Sequence, residues 1–185
     1  PTRLAWQNWT LLIQAYQQAG DLEKAKSYAQ AKHYLDLVGL LGDAVMALSQ
    51  DIGDMGRCEE TIRRVRGVIE LYKLESLNPN AAAQFYFQSA LVYAAAGEDE
   101  KAMDELLRVE KCITELFSKR EIILHGDEYF DLLDAWIERL PLGNMAPRDK
   151  SFILPGLIAA FDHPAFERMR EKDGFQHLIK RLRSA

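Results

Sequence analysis

The chain has 185 residues, of which 48% are hydrophobic and 28% charged, and its formal net charge is −5. This length and apolar content suffice for one domain or one repeat array with a real core, and they exclude a disordered chain. The acidic balance argues against direct nucleic-acid binding by this segment, which would show a basic stripe, and no apolar run approaches the roughly 18 residues of a membrane span.

Nearly the whole sequence is predicted to be helical. Apolar residues recur at i, i+3, i+4 and i+7, and no segment alternates as a strand does. The second and third predicted helices overlap, and the third is open to being a direct continuation of the second. The predicted helices cover about 3–19, 22–36, 34–51, 56–76, 80–96, 98–118, 127–140, 149–161, 164–171 and 173–183.

Three similar turns punctuate this pattern. Each has a glycine that ends one helix, an acidic residue that starts the next, and a small residue five positions after the glycine that lets the two helices approach. A helix–turn–helix unit repeated in this way is typical of a solenoid. The three turns are Gly20–Asp21–Ala25, Gly53–Asp54–Cys58 and Gly97–Glu98–Ala102.

These residues resemble tetratricopeptide repeats. The first repeat matches that pattern fully, the third matches except at Ser89, and the second keeps only the turn and the small residue. The resemblance implies an all-α, right-handed α-α superhelix with hairpins at about 5–36, 37–76 and 80–118, while 119–185 adds further helices and a C-terminal cap in the same domain. The first repeat is Trp9, Leu12, Tyr16, Gly20 and Ala25, and the third is Tyr86, Ser89–Ala90, Tyr93, Gly97 and Ala102.

The tail, residues 162–182, carries a second resemblance. It is similar to a segment that often follows such repeats in bacterial signalling and regulatory proteins. Its apolar residues are expected to cover the open end of the array, because a stacked array otherwise exposes an apolar face. They are Phe166, Met169, Phe175, Leu178 and Leu182.

The sequence gives no pattern typical of an enzyme. None of the four histidines has a His or Cys partner at metal-ligand spacing, and no phosphate-binding loop or nucleophile motif occurs. We therefore predict no catalytic residues, no metal and no cofactor. Cys58 and Cys112 are interpreted as small buried residues, with a redox pair as the alternative. The arginines of segment 57–67 are interpreted as an outer helix face, with a phosphate or an acidic partner as the alternative.

In the tetratricopeptide family the first helix of each hairpin lines a groove that binds peptides. The resemblance implies that side chains beside the core stripe bind a peptide or protein partner, with amides contacting its backbone and an apolar pocket at Phe87 and Leu91. The positions are Gln7, Thr10, Gln14 and Gln17 in the first repeat, Asp43 and Gln50 in the second, and Gln84, Phe87, Gln88 and Leu91 in the third.

The first hypothesis is a cytoplasmic peptide- or protein-binding module, in a narrower form the sensor or dimerisation part of a larger bacterial transcriptional regulator. The chain begins at Pro1 without an initiator methionine, and we expect a DNA-binding domain elsewhere in such a protein. The alternative is a scaffold whose repeats serve oligomerisation only, and a homodimer is compatible with both. An exposed apolar patch on the concave surface around Phe87 and Leu91 would favour ligand binding, and a patch on the convex surface or at an end of the array would favour self-association.

Overall fold

The structure is a computed structural model that describes residues 2–118, 124–140 and 150–183, with side chains within 8–117, 124–140 and 153–183. Every regular element in these ranges is a helix, so the all-α prediction is confirmed. The helices are α1 (Thr2–Gln18), α2 (Leu22–Gln50), α3 (Met55–Leu71), α4 (Leu74–Leu77), α5 (Pro79–Ala96), α6 (Asp99–Ser118), α7 (Leu133–Ile137), α8 (Lys150–Ala160), a 3₁₀ helix (Pro164–Met169) and α9 (Asp173–Arg183).

The chain divides into two compact units. Of the described residues, the first unit contains 2–39 and 124–140, and the second contains 40–118 and 150–183. None of the helices in the described ranges has both the length and the hydropathy that a membrane crossing requires.

Gly20 and Gly97 end α1 and α5 with the same backbone geometry. Both have positive φ angles, 77° and 88°, which glycine adopts without steric cost. After Gly20, the N–H of Asp21 donates to the carbonyl of Tyr16 at 3.0 Å, and the turn after Gly97 has the equivalent bond. This is the Schellman closure of a helix, so the predicted role of these two glycines is confirmed.

Gly53 behaves differently from the other two glycines. Helix α2 already ends at Gln50, and Gly53 does not have a positive φ. The turn is closed instead by the N–H of Asp54, which donates to the carbonyl of Asp51 at 2.7 Å. Asp54 does cap α3 as predicted, because its carboxylate accepts the N–H of Arg57 at 3.1 Å. The small residues after all three turns are buried, namely Ala25, Cys58 and Ala102.

Helix α2 is one uninterrupted element of 29 residues. The predicted second and third helices are therefore continuous, which is the alternative that the overlap left open. The boundary expected between the first two hairpins, at 36–37, falls inside this helix. No glycine with positive φ and no proline lies within Leu22–Gln50, so nothing in the backbone interrupts its hydrogen bonds.

The predicted helix 56–76 is two helices in the structure. It breaks at Lys73, which adopts the left-handed conformation with φ 51° and ψ 39°. The buried face of α3 runs through Ile62 and Ile69, and Leu74 would fall off that face in a continuous helix. The break brings Leu74 and Leu77 into the core, where 0% and 2% of their surfaces are exposed.

The predicted helix 127–140 is reduced to Leu133–Ile137. Side chains satisfy the preceding backbone in a loop: Asp127 accepts the N–H groups of Tyr129 and Phe130, both at 2.9 Å. Gln30 accepts the N–H of Leu132 at 2.8 Å. These bonds compete with helix formation, as Asx turns generally do.

In the second unit, α5 and α6 form a helical hairpin that the C-terminal segment covers. The five apolar residues predicted to form the cap are all buried, at 3% exposure or less. Phe166 lies 5.7 Å from both Phe87 and Phe175, measured between ring centroids. Ion pairs join the same elements: Asp99 of α6 contacts Arg168 and Lys172.

Candidate functional site

One face of α1 packs against aromatic rings of its own unit. Trp9 meets Tyr28 edge-on at 6.0 Å between ring centroids and lies 6.3 Å from Trp136. Tyr16 stacks on Tyr28 at 5.4 Å with an interplanar angle of 7°. Trp9 and Tyr16 are seven residues apart, so they share one side of the helix. The apolar side predicted for the first helix therefore contacts aromatic rings at Trp9 and Tyr16.

The other side of α1 is open to solvent. At about 100° per residue, Leu11 projects roughly opposite Trp9, with Gln14 beside it and Thr10 and Gln17 between the two sides. Thr10, Leu11, Gln14 and Gln17 are all exposed, and Leu11 has 61% of its surface accessible. Indeed, no side chain within residues 8–18 is buried. The side chain of Gln7, also predicted for the site, lies outside the described ranges. We call Thr10, Leu11, Gln14 and Gln17 the α1 surface.

The positions predicted in the second repeat lie on the C-terminal half of α2. Asp43 and Gln50 are both exposed there. Met46, between them, has 60% of its surface accessible. Both belong to the second unit, as do the predicted positions of the third repeat.

The predicted apolar pocket at Phe87 and Leu91 is not open in this structure. Leu91 is only 9% exposed. The ring of Phe87 lies 5.6 Å from Phe161 and 5.7 Å from Phe166, so the chain's own cap occupies this position. On the same helix, Gln84 is exposed and Gln88 is half-buried. A peptide would meet the two amides, but not the expected pocket, unless the cap moved away.

The arginine-rich segment 57–67 does not form one cluster. Arg63 and Arg64 both pair with Glu60, at 2.8 Å and 2.7 Å, on the exposed side of α3. These bonds hold the pKa of Glu60 at about 2. Arg66 instead points inward and forms an ion pair with Glu105, which is fully buried. The outer-face interpretation therefore fits Arg63 and Arg64, and it does not fit Arg66.

Both cysteines are free and buried, as the sequence predicts. Burial raises the pKa of Cys112 to about 12 and also raises the pKa of Cys58. Both groups are therefore thiols at neutral pH, and a thiol is a poor nucleophile. The Sγ of Cys58 lies 3.1 Å from the carbonyl of Asp51, consistent with a structural role at that turn.

Across the ranges that the structure describes, no three His, Cys, Asp or Glu side chains come together as a potential metal site. Comparison with models of protein families, with curated protein sequences and with solved structures gave no match for this chain.

Proposed function

We propose that this chain is a protein-binding module of tetratricopeptide-like helical hairpins that recognises a peptide segment of its partner through the α1 surface. The single observation that carries the proposal is that α1 buries no side chain within residues 8–18 while it exposes Leu11. A helix of this length gains little stability by itself, and the exposed Leu11 offers an apolar surface that a partner can bury.

The chemistry of the α1 surface suits a peptide backbone. Gln14 and Gln17 each offer a donor and an acceptor, and Thr10 lies on the same surface. Leu11 supplies an apolar contact beside these polar groups, and burying it against a partner would contribute binding energy. The narrower role in a bacterial transcriptional regulator is a prediction from the sequence and adds no further residue to this site.

The test is a selection of peptides from a random display library on the immobilised chain, followed by affinity measurements. Leu11→Glu and Gln14→Ala are each expected to weaken binding by about tenfold, which corresponds to about 1.4 kcal/mol. Leu71→Glu is the matched control, because Leu71 is also exposed, at 76%, but belongs to the second unit. A selected peptide that binds all three variants equally well would overturn the proposal.

Self-association is a second candidate, and the same leucine favours it. The first unit also exposes Leu22, at 60%, while the Phe87 and Leu91 position is covered. Light scattering during size-exclusion chromatography would show a dimer that Leu11→Glu converts into a monomer. A chain that is monomeric at all accessible concentrations would exclude this candidate and leave the peptide-binding proposal in place.

A further inference from the structure

A cationic pocket of about 470 Å³ lies in the second unit, at α3, α4, α5 and α6. Its lining includes Arg66 of α3, Lys73 of the link to α4, and Arg108 and Lys111 of α6. Four cations face two lining carboxylates, Glu70 and Glu75, and Arg66 also pairs with the buried Glu105, so the cations outnumber the carboxylates by one although the whole chain carries −5. The pocket therefore concentrates positive charge in an acidic protein, which attracts anions.

Two of these cations are committed to carboxylates of the chain. Arg66 pairs with the buried Glu105. Lys111 donates to Glu75 at 2.6 Å, and the hydroxyl of Tyr86 donates to the same carboxylate at 2.8 Å. These bonds fix the walls of the pocket, so that its geometry is formed before any ligand enters.

The other two cations have no such partner. Within the described part of the chain, neither Arg108 nor Lys73 forms an ion pair with a carboxylate. Arg108 rests over the ring of Tyr86, with its guanidinium carbon 5.6 Å from the ring centroid. That position leaves the edge of the guanidinium, which carries its N–H donors, available for an acceptor.

The break in the backbone at Lys73, which brings Leu74 and Leu77 into the core, also positions this lysine at the pocket. Its φ of 51° makes Lys73 the one residue other than glycine with a positive φ among the residues described. The left-handed conformation costs a residue with a Cβ about 1–2 kcal/mol, and such strain is concentrated at ligand-binding positions. Here the strained link places an ammonium group at the pocket.

We infer that this pocket binds the phosphoryl group of a small organic phosphate, with Arg108 and Lys73 as its direct ligands. A phosphomonoester carries about −1.5 to −2 at neutral pH and presents three oxygens, so it can pair with both Arg108 and Lys73 at once. Glu70, which also lines the pocket, offsets part of this positive charge. The planar guanidinium suits two phosphoryl oxygens at once.

The size and walls of the pocket account for the organic part of the ligand. Small-molecule sites occupy about 300–1,000 Å³, so this pocket is larger than a lone phosphate ion needs. Ile69 and the ring of Tyr86 provide its apolar wall. An ester with an organic group in contact with this wall is expected to bind more tightly than inorganic phosphate.

The test is isothermal titration of the full chain with inorganic phosphate, glucose 6-phosphate, adenosine monophosphate, succinate and a polyglutamate peptide at constant ionic strength. Arg108→Gln and Lys73→Gly are each expected to weaken phosphate-ester binding by about tenfold or more, because each removes a charge-assisted hydrogen bond. Lys73→Gly also relieves the positive φ, so its loss of binding would not result from unfolding.

Arg63→Gln is the matched control, since Arg63 is an arginine on the exposed side of α3 that pairs with Glu60. Its affinity should stay within about twofold of the wild type, as for most exposed charges. Equal affinity for inorganic phosphate and both esters would identify free phosphate as the source of the phosphoryl group. The inference is overturned if no phosphate compound binds saturably, if only succinate or polyglutamate binds, or if Arg108→Gln and Lys73→Gly bind as the wild type does.

Discussion

The two units of the molecule use aromatic residues in different ways. In the second unit the rings are sealed inside: Phe85, Phe161 and Phe166 are each exposed by 1% or less. In the first unit Phe130 is likewise buried, at 1%, but the rings at the α1 contact are not: Trp9 and Tyr16 both contact Tyr28, and all three stay half-buried. The comparison teaches that ring contacts at helical spacing, which a sequence reveals, do not by themselves make a closed core.

The difference has a structural origin in the first unit. Its buried residues come from α2 and the segment around α7, and α1 adds none within residues 8–18. Hydrogen bonds hold that segment to α2: the hydroxyl of Ser27 donates to the carbonyl of Leu132 at 3.4 Å, and Gln30 donates to Asp131 at 2.7 Å. The first unit is therefore closed on the α7 side and open on the α1 side.

The strongest test of this comparison is to truncate one aromatic ring in each unit. Phe166→Ala is expected to cost about 3–5 kcal/mol, because a fully buried ring leaves a cavity among its neighbours. Trp9→Ala should cost about 1–2 kcal/mol, since a half-buried ring loses less contact with protein. Hydrogen exchange measured separately in α5–α6 and in α1–α2 would give both values. Equal losses in the two units would contradict the comparison.

Next in size is the buried ion pair of the second unit. Glu105→Leu would leave Arg66 without its carboxylate, and removing one partner of a buried pair costs about 3–5 kcal/mol. We expect about 3 kcal/mol here, because the Arg66 side chain is 35% exposed and keeps some solvation. Urea unfolding followed by circular dichroism measures this loss.

The control for the ion pair is the double variant Arg66→Met with Glu105→Leu. It should recover most of the loss, since replacing both charges by apolar groups is often neutral. A double variant no more stable than Glu105→Leu alone would show that packing around Glu105, rather than the unpaired charge, sets the cost.

Helix-closing glycines give a smaller effect that also separates the units. Gly20→Ala should cost about 1–2 kcal/mol from the positive φ alone, because a new Cβ would meet open space. Gly97→Ala should cost more, since its Cβ would lie 3.2 Å from the guanidinium of Arg168 and displace it from Asp99. Thermal unfolding of both variants measures the difference.

Gly53→Ala is the matched control for those two substitutions. Gly53 has open space around it and no positive φ, so alanine there should be neutral or slightly stabilising through the unfolded state. If Gly53→Ala destabilised the chain as much as Gly20→Ala, the distinction between the two kinds of turn would be wrong.

The smallest expected effect concerns acid. A hydrogen bond from Lys172 lowers the pKa of Asp99, and a hydrogen bond from Lys24 lowers the pKa of Asp21. A lowered folded pKa contributes stability above the unfolded value of about 3.9, and this contribution is lost as pH falls through the folded pKa. In the Asp99→Asn variant, the melting temperature should therefore fall less steeply as the pH is lowered below about 4.

Asp21→Asn tests the same effect in the first unit. This substitution should change the pH dependence of the melting temperature in acid less, because Asp21 has one cationic partner and Asp99 has two. Carboxyl titration by NMR gives each pKa directly, and an Asp99 that titrates at or above about 3.9 would contradict the assignment.

The sequence was sufficient for features that depend on neighbouring residues. Helix ends at Gly20 and Gly97, the cap at Asp54 and the burial of the small residues after each turn are all local consequences of chain chemistry. It was insufficient where distant residues intervene. Gln30 accepts a hydrogen bond from the N–H of Leu132 and so shortens α7, and no pattern within 127–140 predicts that bond.

The candidate sites show the same limit of prediction from sequence. Leu11 could have been recognised, because its position opposite Trp9 follows from helical spacing alone. Phe87 looked available because its cover, Phe161 and Phe166, lies far along the chain. The phosphate pocket was hidden for the same reason, since Arg66 and Lys111 meet only through the packing of their helices. Nothing in the sequence around Lys73 indicates that a helix breaks there.

The covering of Phe87 by Phe166 also has a consequence for synthesis of the chain. The ribosome makes Phe87 about 80 residues before Phe166, and at about 5–20 residues per second this interval lasts roughly 4–16 s. During that time the nascent α5–α6 hairpin has its aromatic residue uncovered. The segment that protects the earlier helices from aggregation is thus synthesised well after them, and a chain truncated before residue 164 would expose Phe87.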